Sequence, residues 1–147
     1  MKRLQTLLII CQCLAIQTMN AQGIYFDWAK SIGGTGQENV YGNVIDNDGN
    51  IYTTGSFNGS VDFNPDTATH ILTSNGGSDI YIQKLSSDGS FLWAKSIGGG
   101  DTDGAEFITT DNDGNIYVTG IFSLTVDFDP GTAINNRTSA VLQVSTF

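Results

Sequence analysis

The chain is poor in basic residues and holds a single histidine. Its six lysines and arginines stand against 15 acidic residues, so the formal net charge is −9. Because a strongly acidic surface repels phosphate backbones, we expect no nucleic-acid partner. His70 has Asn135 as its equivalent in the internal repeat described below, so it belongs to no repeated catalytic set. No G-x-S-x-G elbow points to a serine hydrolase.

Long apolar runs are also lacking, since the run Leu7–Ile16 is shorter than the roughly 20 residues that a membrane span needs. Lys2 and Arg3 precede this run, and the small residue Ala21 follows it. A charged start, an apolar stretch and a small residue are the order of a secretory signal. We therefore predict a signal peptide over residues 1–21 and a secreted, periplasmic or cell-surface location. A buried N-terminal helix is the alternative.

Cysteine would be absent from the mature protein. Cys11 and Cys13 would leave with the signal, which excludes disulfide and thiolate chemistry in what remains. Lys2 and Arg3 would leave as well, so four basic residues would face 15 acidic ones, a net charge of −11.

A gapless repeat of 65 residues is the dominant feature of the chain. Across residues 26–65 and 91–130, 22 of 40 positions are identical. Three motifs recur: WAKSIGG at Trp28–Gly34 and Trp93–Gly99, DNDGNIY at Asp46–Tyr52 and Asp111–Tyr117, and VDF-x-P at Val61–Pro65 and Val126–Pro130.

Each copy indicates short strands separated by turn residues, and no helical period appears after the signal. β-Branched and aromatic residues, alternation, and Asp-Gly turns favour hairpins. The four strands predicted for one complete unit are Tyr41–Asp46, Ile51–Phe57, Asp79–Leu85 and Phe91–Ile97. Phe26–Ile32 is an earlier equivalent of the fourth strand.

Four antiparallel strands per repeat predict an all-β protein built of β-propeller-type blades. The long connection Gly59–Ser78 has room for a small hairpin around Val61–Phe63 and Thr69–Leu72. A stacked solenoid and a β-sandwich are the alternatives.

The strings WAKSIGG, DNDGNIYVTGIF and VDFDPG together resemble the bacterial SBBP-type β-propeller repeat family, from Tyr25 to about Gly131. The resemblance implies an exported protein of the kind found in Bacteroidetes, often large and often ending in a type IX sorting domain. The family has no common activity, so the resemblance implies no active site.

The repeats occupy residues 22–137, with copies near 26–90 and 91–137, and residues 138–147 diverge. The count is one strand, one complete blade and two strands of another, whereas a closed ring needs at least four blades. If the reading frame is shifted, codons that encode residues 140–147 can be chosen so that they encode Gly-Ser-Ser-Gly-Ile-Tyr-Ile. That peptide contains a strand like Ile80–Ile82, which the repeat predicts at this place. We therefore interpret the chain as a fragment whose tail is out of frame, completed by missing blades or by self-association through open sheet edges.

The acidic turns are the candidate metal sites. Asp46, Asp48, Asp111 and Asp113 resemble the start of a calcium loop, although phenylalanine occupies the twelfth position where such a loop carries an acid. Asp, Asn and Gly also favour a tight turn on backbone grounds alone. We therefore predict structural turns without a metal or cofactor, and calcium binding by these four residues is the alternative.

Other repeated residues have both structural and functional interpretations. Asp62 and Asp127, with Asp129 in the second copy only, are either a carboxylate rim or solvated loop residues. Trp28 and Trp93 are either packing residues or sugar platforms.

With no catalytic set in view, we expect a non-enzymatic exported scaffold that binds a protein or a glycan. The alternatives are a remnant of an extracellular hydrolase or lyase, and a truncated product without independent function.

The signal prediction is tested by expressing the full reading frame in a Gram-negative host and measuring the intact mass of the exported protein. We expect a mass that lacks residues 1–21, with Gln22 as the first residue. Recovery of the uncut chain, beginning at Met1, from the cell interior would contradict it.

Overall fold

The structure is a computed structural model that describes residues 4–10, 13–20 and 23–140, with side chains from residue 26 onward. Every regular element in these ranges is a β-strand and every pairing between strands is antiparallel, which confirms the all-β prediction. The described residues form no helix, and so they contain no helix that is long and apolar enough to cross a membrane. The strands are β1 (Leu4–Ile10), β2 (Cys13–Asn20), β3 (Gly23–Lys30), β4 (Gly33–Gly34), β5 (Glu38–Ile45), β6 (Ile51–Phe57), β7 (Ser60–Asp62), β8 (Ile71–Thr73), β9 (Asp79–Leu85), β10 (Phe91–Ile97), β11 (Gly104–Thr110), β12 (Ile116–Ile121), β13 (Thr125–Asp127) and β14 (Asn136–Thr138).

The first three strands form a sheet in the order β1-β2-β3. β1 and β2 lie within residues 1–21, and removal of that segment as a signal stays a prediction. The sequence assigned no strand partner to Phe26–Ile32, whereas β3 pairs with β2 along its length. The partner was missed because the charged start and apolar run of that segment match a signal peptide.

A four-stranded meander in the order β10-β9-β6-β5 forms the body of the first repeat. The predicted bounds of β6, β9 and β10 are confirmed. β5 begins at Glu38, three residues before the predicted start, because the polar pair Glu38-Asn39 pairs with Phe57 and Ser56. Among the described residues, no sheet closes on itself.

The long connection of the first repeat contains the predicted hairpin, formed by β7 and β8. β4 extends this hairpin to three strands by pairing Gly34 with Val61. A Cβ on Gly34 would lie 2.1 Å from the carbonyl oxygen of Ser60, so the repeated glycine allows this close approach. The bridge between Gly99 and Val126 repeats the arrangement in the second copy.

Tight turns with one shared geometry join the long strands. Gly49, Gly89 and Gly114 each have φ of +83°, a conformation that favours glycine. The N–H of Gly49 donates to the carbonyl of Asp46 at 3.0 Å, and Gly114 repeats this contact with Asp111 at 3.2 Å. The Asp-Gly pairs therefore form the turns that the sequence predicts.

The second repeat contains the pair β11–β12 and the hairpin β13–β14. Its similarity to the first repeat extends into the segment 138–147. The N–H of Ser139 donates to the carbonyl of Leu124 at 2.8 Å, as Ser74 donates to Gly59 at 3.0 Å. Residues 141–147 lie outside the described residues, so the out-of-frame interpretation stays a prediction.

Two of the three apolar clusters among the described residues join the repeats and their hairpin. One lies between the four-stranded sheet and the hairpin β7–β8, where the side chains of Phe57, Phe63 and Tyr81 are at most 1% exposed. The other joins the four-stranded sheet to β11 and β12 through Tyr52, Ile82 and Ile108. The two repeats thus pack face to face through apolar side chains.

Phe57 and Phe122 are equivalent residues with unequal burial, and their substitution tests the fold. Phe57→Ala should lower the free energy of unfolding by about 3–5 kcal/mol, because it empties a closed core. Phe122→Ala should cost only about 1–2 kcal/mol, because that ring is half-buried. Urea unfolding followed by circular dichroism measures both values. Equal losses would contradict the described difference in packing.

Candidate binding cleft

A cleft opens between the two repeats at the end of the strands where β5 and β11 begin. Its larger part, about 390 Å³, is lined by Tyr41 and Glu106 among others. The adjoining part, about 310 Å³, is mostly polar and includes Gln37, Asn39 and Asn58. The two parts share Ser56, Ser78 and Thr102. We call these combined regions the inter-sheet cleft.

Two β-bulges direct side chains into the inter-sheet cleft. The register of β5 against β6 shifts between Val40 and Gly42, and Tyr41 is the extra residue. The same shift in β11 leaves Glu106 as the extra residue. A bulge bends its strand and re-aims a side chain. Tyr41 is 58% exposed, so its ring is accessible to a ligand.

Asn58 fixes the loop on the polar side of the cleft. Its side-chain oxygen accepts a hydrogen bond from the N–H of Gln37 at 2.9 Å. Its own N–H donates to the carbonyl of Gln37 at 3.1 Å. These two contacts hold the backbone ahead of β5 against the end of β6, so the cleft wall is preformed.

The buried carboxylate of Asp103 holds the opposite wall. Its two oxygens accept hydrogen bonds from the N–H groups of Gly99 and Ser123, both at 2.8 Å. Its N–H donates to the carbonyl of Ser78 at 2.7 Å, and the Ser78 hydroxyl donates to its carbonyl at 3.1 Å. Asp103 therefore ties together three chain segments that border the cleft.

Asp79 is a second buried acid beside this wall, with no exposed side-chain surface. Its Oδ2 accepts a hydrogen bond from the N–H of Asn75 at 3.1 Å, while its Oδ1 has no hydrogen-bond partner. Burial raises the pKa of Asp79, and the negative charge of Asp103 raises it further. A Cβ on Gly98 would lie 2.2 Å from the Asp79 carboxyl carbon, so only glycine fits there.

The predicted acidic candidates lie at the other end of the strands. Oδ1 of Asp46 accepts the N–H groups of Asp48 and Asn50, and Oδ2 accepts the Asn50 amide and the Tyr52 hydroxyl. Burial opposes ionisation of Asp46, but these hydrogen bonds outweigh it and hold its pKa below the ordinary value.

The second acidic turn has the same geometry. Asp111 accepts the equivalent bonds from Asp113, Asn115 and Tyr117, and the Asn115 hydrogen bonds are the largest cause of its lowered pKa. Asn47 donates to Asn112 at 3.3 Å, so the two turns lie side by side. Within residues 26–140 no three His, Cys, Asp or Glu side chains are grouped for a metal ion. Calcium binding stays the untested alternative to a structural turn.

The other repeated residues have structural contacts. Asp62 accepts the N–H groups of Asn64 and His70, and Asp127 accepts those of Asp129 and Asn135, so both fix the connection after VDF. Trp28 packs against Ile51 and Leu85, and Trp93 meets the Tyr52 ring edge-on at 6.0 Å.

His70, which is not repeated, also has a structural contact. Its nitrogen Nε2 lies 3.0 Å from the carbonyl oxygen of Ala94.

Sequence reasoning missed the inter-sheet cleft, although one signal points to it. Residues 35–45 differ at every position from residues 100–110, whereas the stretches on either side are largely identical. Most cleft residues, including Tyr41 and Glu106, lie in or beside these two variable stretches. Surface positions that vary more than the scaffold around them are where binding residues are often found.

Comparison with known proteins finds similarity to part of a larger protein. No family model matches the chain. An uncharacterized WD repeat-containing protein of Acanthamoeba polyphaga mimivirus is 39% identical over 89 residues, which cover 56% of this chain. Those residues are 6% of the length of that protein. The similarity supports a repeat of that general type and does not identify the SBBP-type family.

The raised pKa of Asp79 predicts a pH-dependent effect of Asp79→Asn. The folded state holds this proton more tightly than the unfolded state, so wild-type stability falls as pH rises through the folded pKa. The variant should therefore be more stable than the wild type at pH 7, and the difference should vanish near pH 3. Urea unfolding at both pH values measures it, with Asp48→Asn as an exposed control. A destabilised variant at pH 7 would contradict the prediction.

Proposed function

We propose that the chain is part of an exported, non-enzymatic scaffold of β-propeller type that binds a protein or a glycan in the inter-sheet cleft. The observation that carries the proposal is the cleft itself, where two bulges of the repeat present Tyr41 and Glu106 between adjacent sheets. The charged and apolar order of residues 1–21 supports export.

Three features support the propeller architecture. The first repeat is a four-stranded antiparallel meander, which is the form of a propeller blade. The next repeat packs against its face through Ile108, as consecutive blades do. The partial relative is named for WD repeats, which are propeller repeats.

The chemistry of the cleft favours a glycan. An exposed aromatic ring offers an apolar face, and the neighbouring amides and hydroxyls donate and accept hydrogen bonds. These groups come from Gln37, Asn39, Ser56, Asn58 and Thr102. Their combination suits a sugar, which has apolar faces and many hydroxyls, and Glu106 disfavours an anionic one.

A binding role agrees better than catalysis with the acids at this site. Two carboxylates that face a common space are needed for glycoside hydrolysis. Asp103 is fully buried, and both its oxygens accept backbone hydrogen bonds. Glu106 is thus the accessible carboxylate among the described residues that line the cleft.

Titration of the purified chain with neutral oligosaccharides and with extended peptides tests the proposal. We expect a bound glycan whose affinity falls by roughly tenfold when Tyr41→Ala removes the ring. Phe26→Ala is the matched control, because that ring is 71% exposed and lies outside the cleft. Isothermal titration calorimetry measures the affinities.

The same panel distinguishes the alternatives. Binding of peptides alone would assign a protein ligand to the cleft. Turnover of any substrate, or binding that Tyr41→Ala leaves unchanged, would overturn the proposed role of the cleft.

A further inference from the structure

β6 and β12 are equivalent strands with different neighbours. β6 lies between β5 and β9, and all seven of its residues are buried. Among the described residues, β12 pairs with β11 alone, and its residues Tyr117 and Ile121 are 55% and 61% exposed. Within the described residues, the second edge of β12 therefore has no partner strand and can accept one.

A cavity of about 360 Å³ lies beside this open edge. Phe122 and Phe128 line it and meet edge-to-face with ring centroids 5.1 Å apart. Their equivalents Phe57 and Phe63 meet in the same way, also at 5.1 Å. We call the cavity bounded by Phe122 and Phe128 the aromatic socket.

The first repeat shows what fills such a socket. The ring of Tyr81, from β9, lies 4.8 Å from that of Phe63 and 6.3 Å from that of Phe57. Ile32 packs against this cluster, and its equivalent Ile97 lines the socket. The socket thus has the walls of the first cluster, and no described residue of a third strand supplies an aromatic ring to it.

Polar partners for a third strand are also present in the second repeat. In the first, the Thr54 hydroxyl donates to the carbonyl of Tyr81 at 2.7 Å, and Gln83 Nε2 donates to the carbonyl of Phe63 at 2.6 Å. Thr119 and Phe128 are the equivalents of Thr54 and Phe63. They offer the same donor and acceptor to an incoming strand.

A charged group on the incoming strand would be matched as well. The ammonium of Lys84 lies 4.7 Å from the centroid of the Tyr52 ring and 3.6 Å from Asp46 Oδ2. Tyr117 and Asp111 repeat that pair, joined by a hydrogen bond of 2.9 Å. An exposed tyrosine ring beside a carboxylate attracts a lysine.

We propose that the open edge of β12 and the aromatic socket bind a β-hairpin of the Asp79–Ile97 type, supplied by another copy of the repeat. Its first strand pairs antiparallel with β12, its tyrosine enters the socket opposite Gly120, and its lysine covers Tyr117. This register follows the pairs Gly55–Tyr81 and Tyr52–Lys84 of the first repeat. The interaction goes beyond ligand binding in the inter-sheet cleft and does not depend on it.

A synthetic peptide of residues 78–97, labelled with a fluorophore, tests the proposal against the purified full chain. Fluorescence anisotropy should show saturable binding with a roughly micromolar Kd. The peptide with Tyr81→Ala should bind roughly tenfold or more weakly, because the socket stays empty. The peptide with Tyr81→Phe should bind more tightly than the Tyr81→Ala peptide, since its ring still fills the aromatic socket.

Further arms separate the contacts and the possible occupants. The peptide with Lys84→Gln should lose less affinity, and the affinity of the original should fall with added salt. Phe128→Ala in the protein should abolish binding. Equal binding of the Tyr81→Ala peptide would overturn the proposal. Dimerisation of the chain through the β12 edges of two copies, which the peptide cannot compete away, would assign the edge to β12 of a second chain instead of a hairpin and would also overturn it.

Discussion

The edge-to-face contact between Phe57 and Phe63 ties the long connection of the repeat to its sheet, and the rest of the structure depends on it. Both rings are buried, with centroids 5.1 Å apart. Because Phe63 directly follows β7, the contact brings Val61 against Gly34, which closes the three-stranded hairpin. It also places the Phe63 carbonyl where Gln83 can donate to it.

The second repeat shows which part of this arrangement is local. Phe122 and Phe128 form the same contact at 5.1 Å, although no third strand covers them within the described residues. The hairpin geometry therefore follows from the repeat sequence itself, whereas burial of the aromatic pair needs a neighbour distant in sequence. A repeat of this kind gains its stability from the segments that pack on it. That dependence explains why identical residues are closed in one copy and form a socket in the other.

Short-range patterns predicted much of the fold. Alternation and Asp-Gly turns gave the bounds of β6, β9 and β10, because both effects act within a few residues. The start of β5 was missed because Glu38 is acidic and yet only 4% exposed. Burial of Asp79 and Asp103 was equally hidden from the sequence. The N–H groups that bind Asp103 come from Gly99 and Ser123, and only the folded chain brings these together.

The candidate site was predicted less well, because the residues that recur in both copies are those that build the scaffold. The repeated Asp46 and Asp111 complete turns, whereas the residues that line the inter-sheet cleft lie mostly where the two copies differ. Tyr41 and Glu106 share a bulge but not a side-chain type. A fixed backbone feature thus carries a tyrosine in one copy and a glutamate in the other. This arrangement lets the side chains that line the cleft differ between copies while the turns, the close glycine contacts and the aromatic pair stay the same.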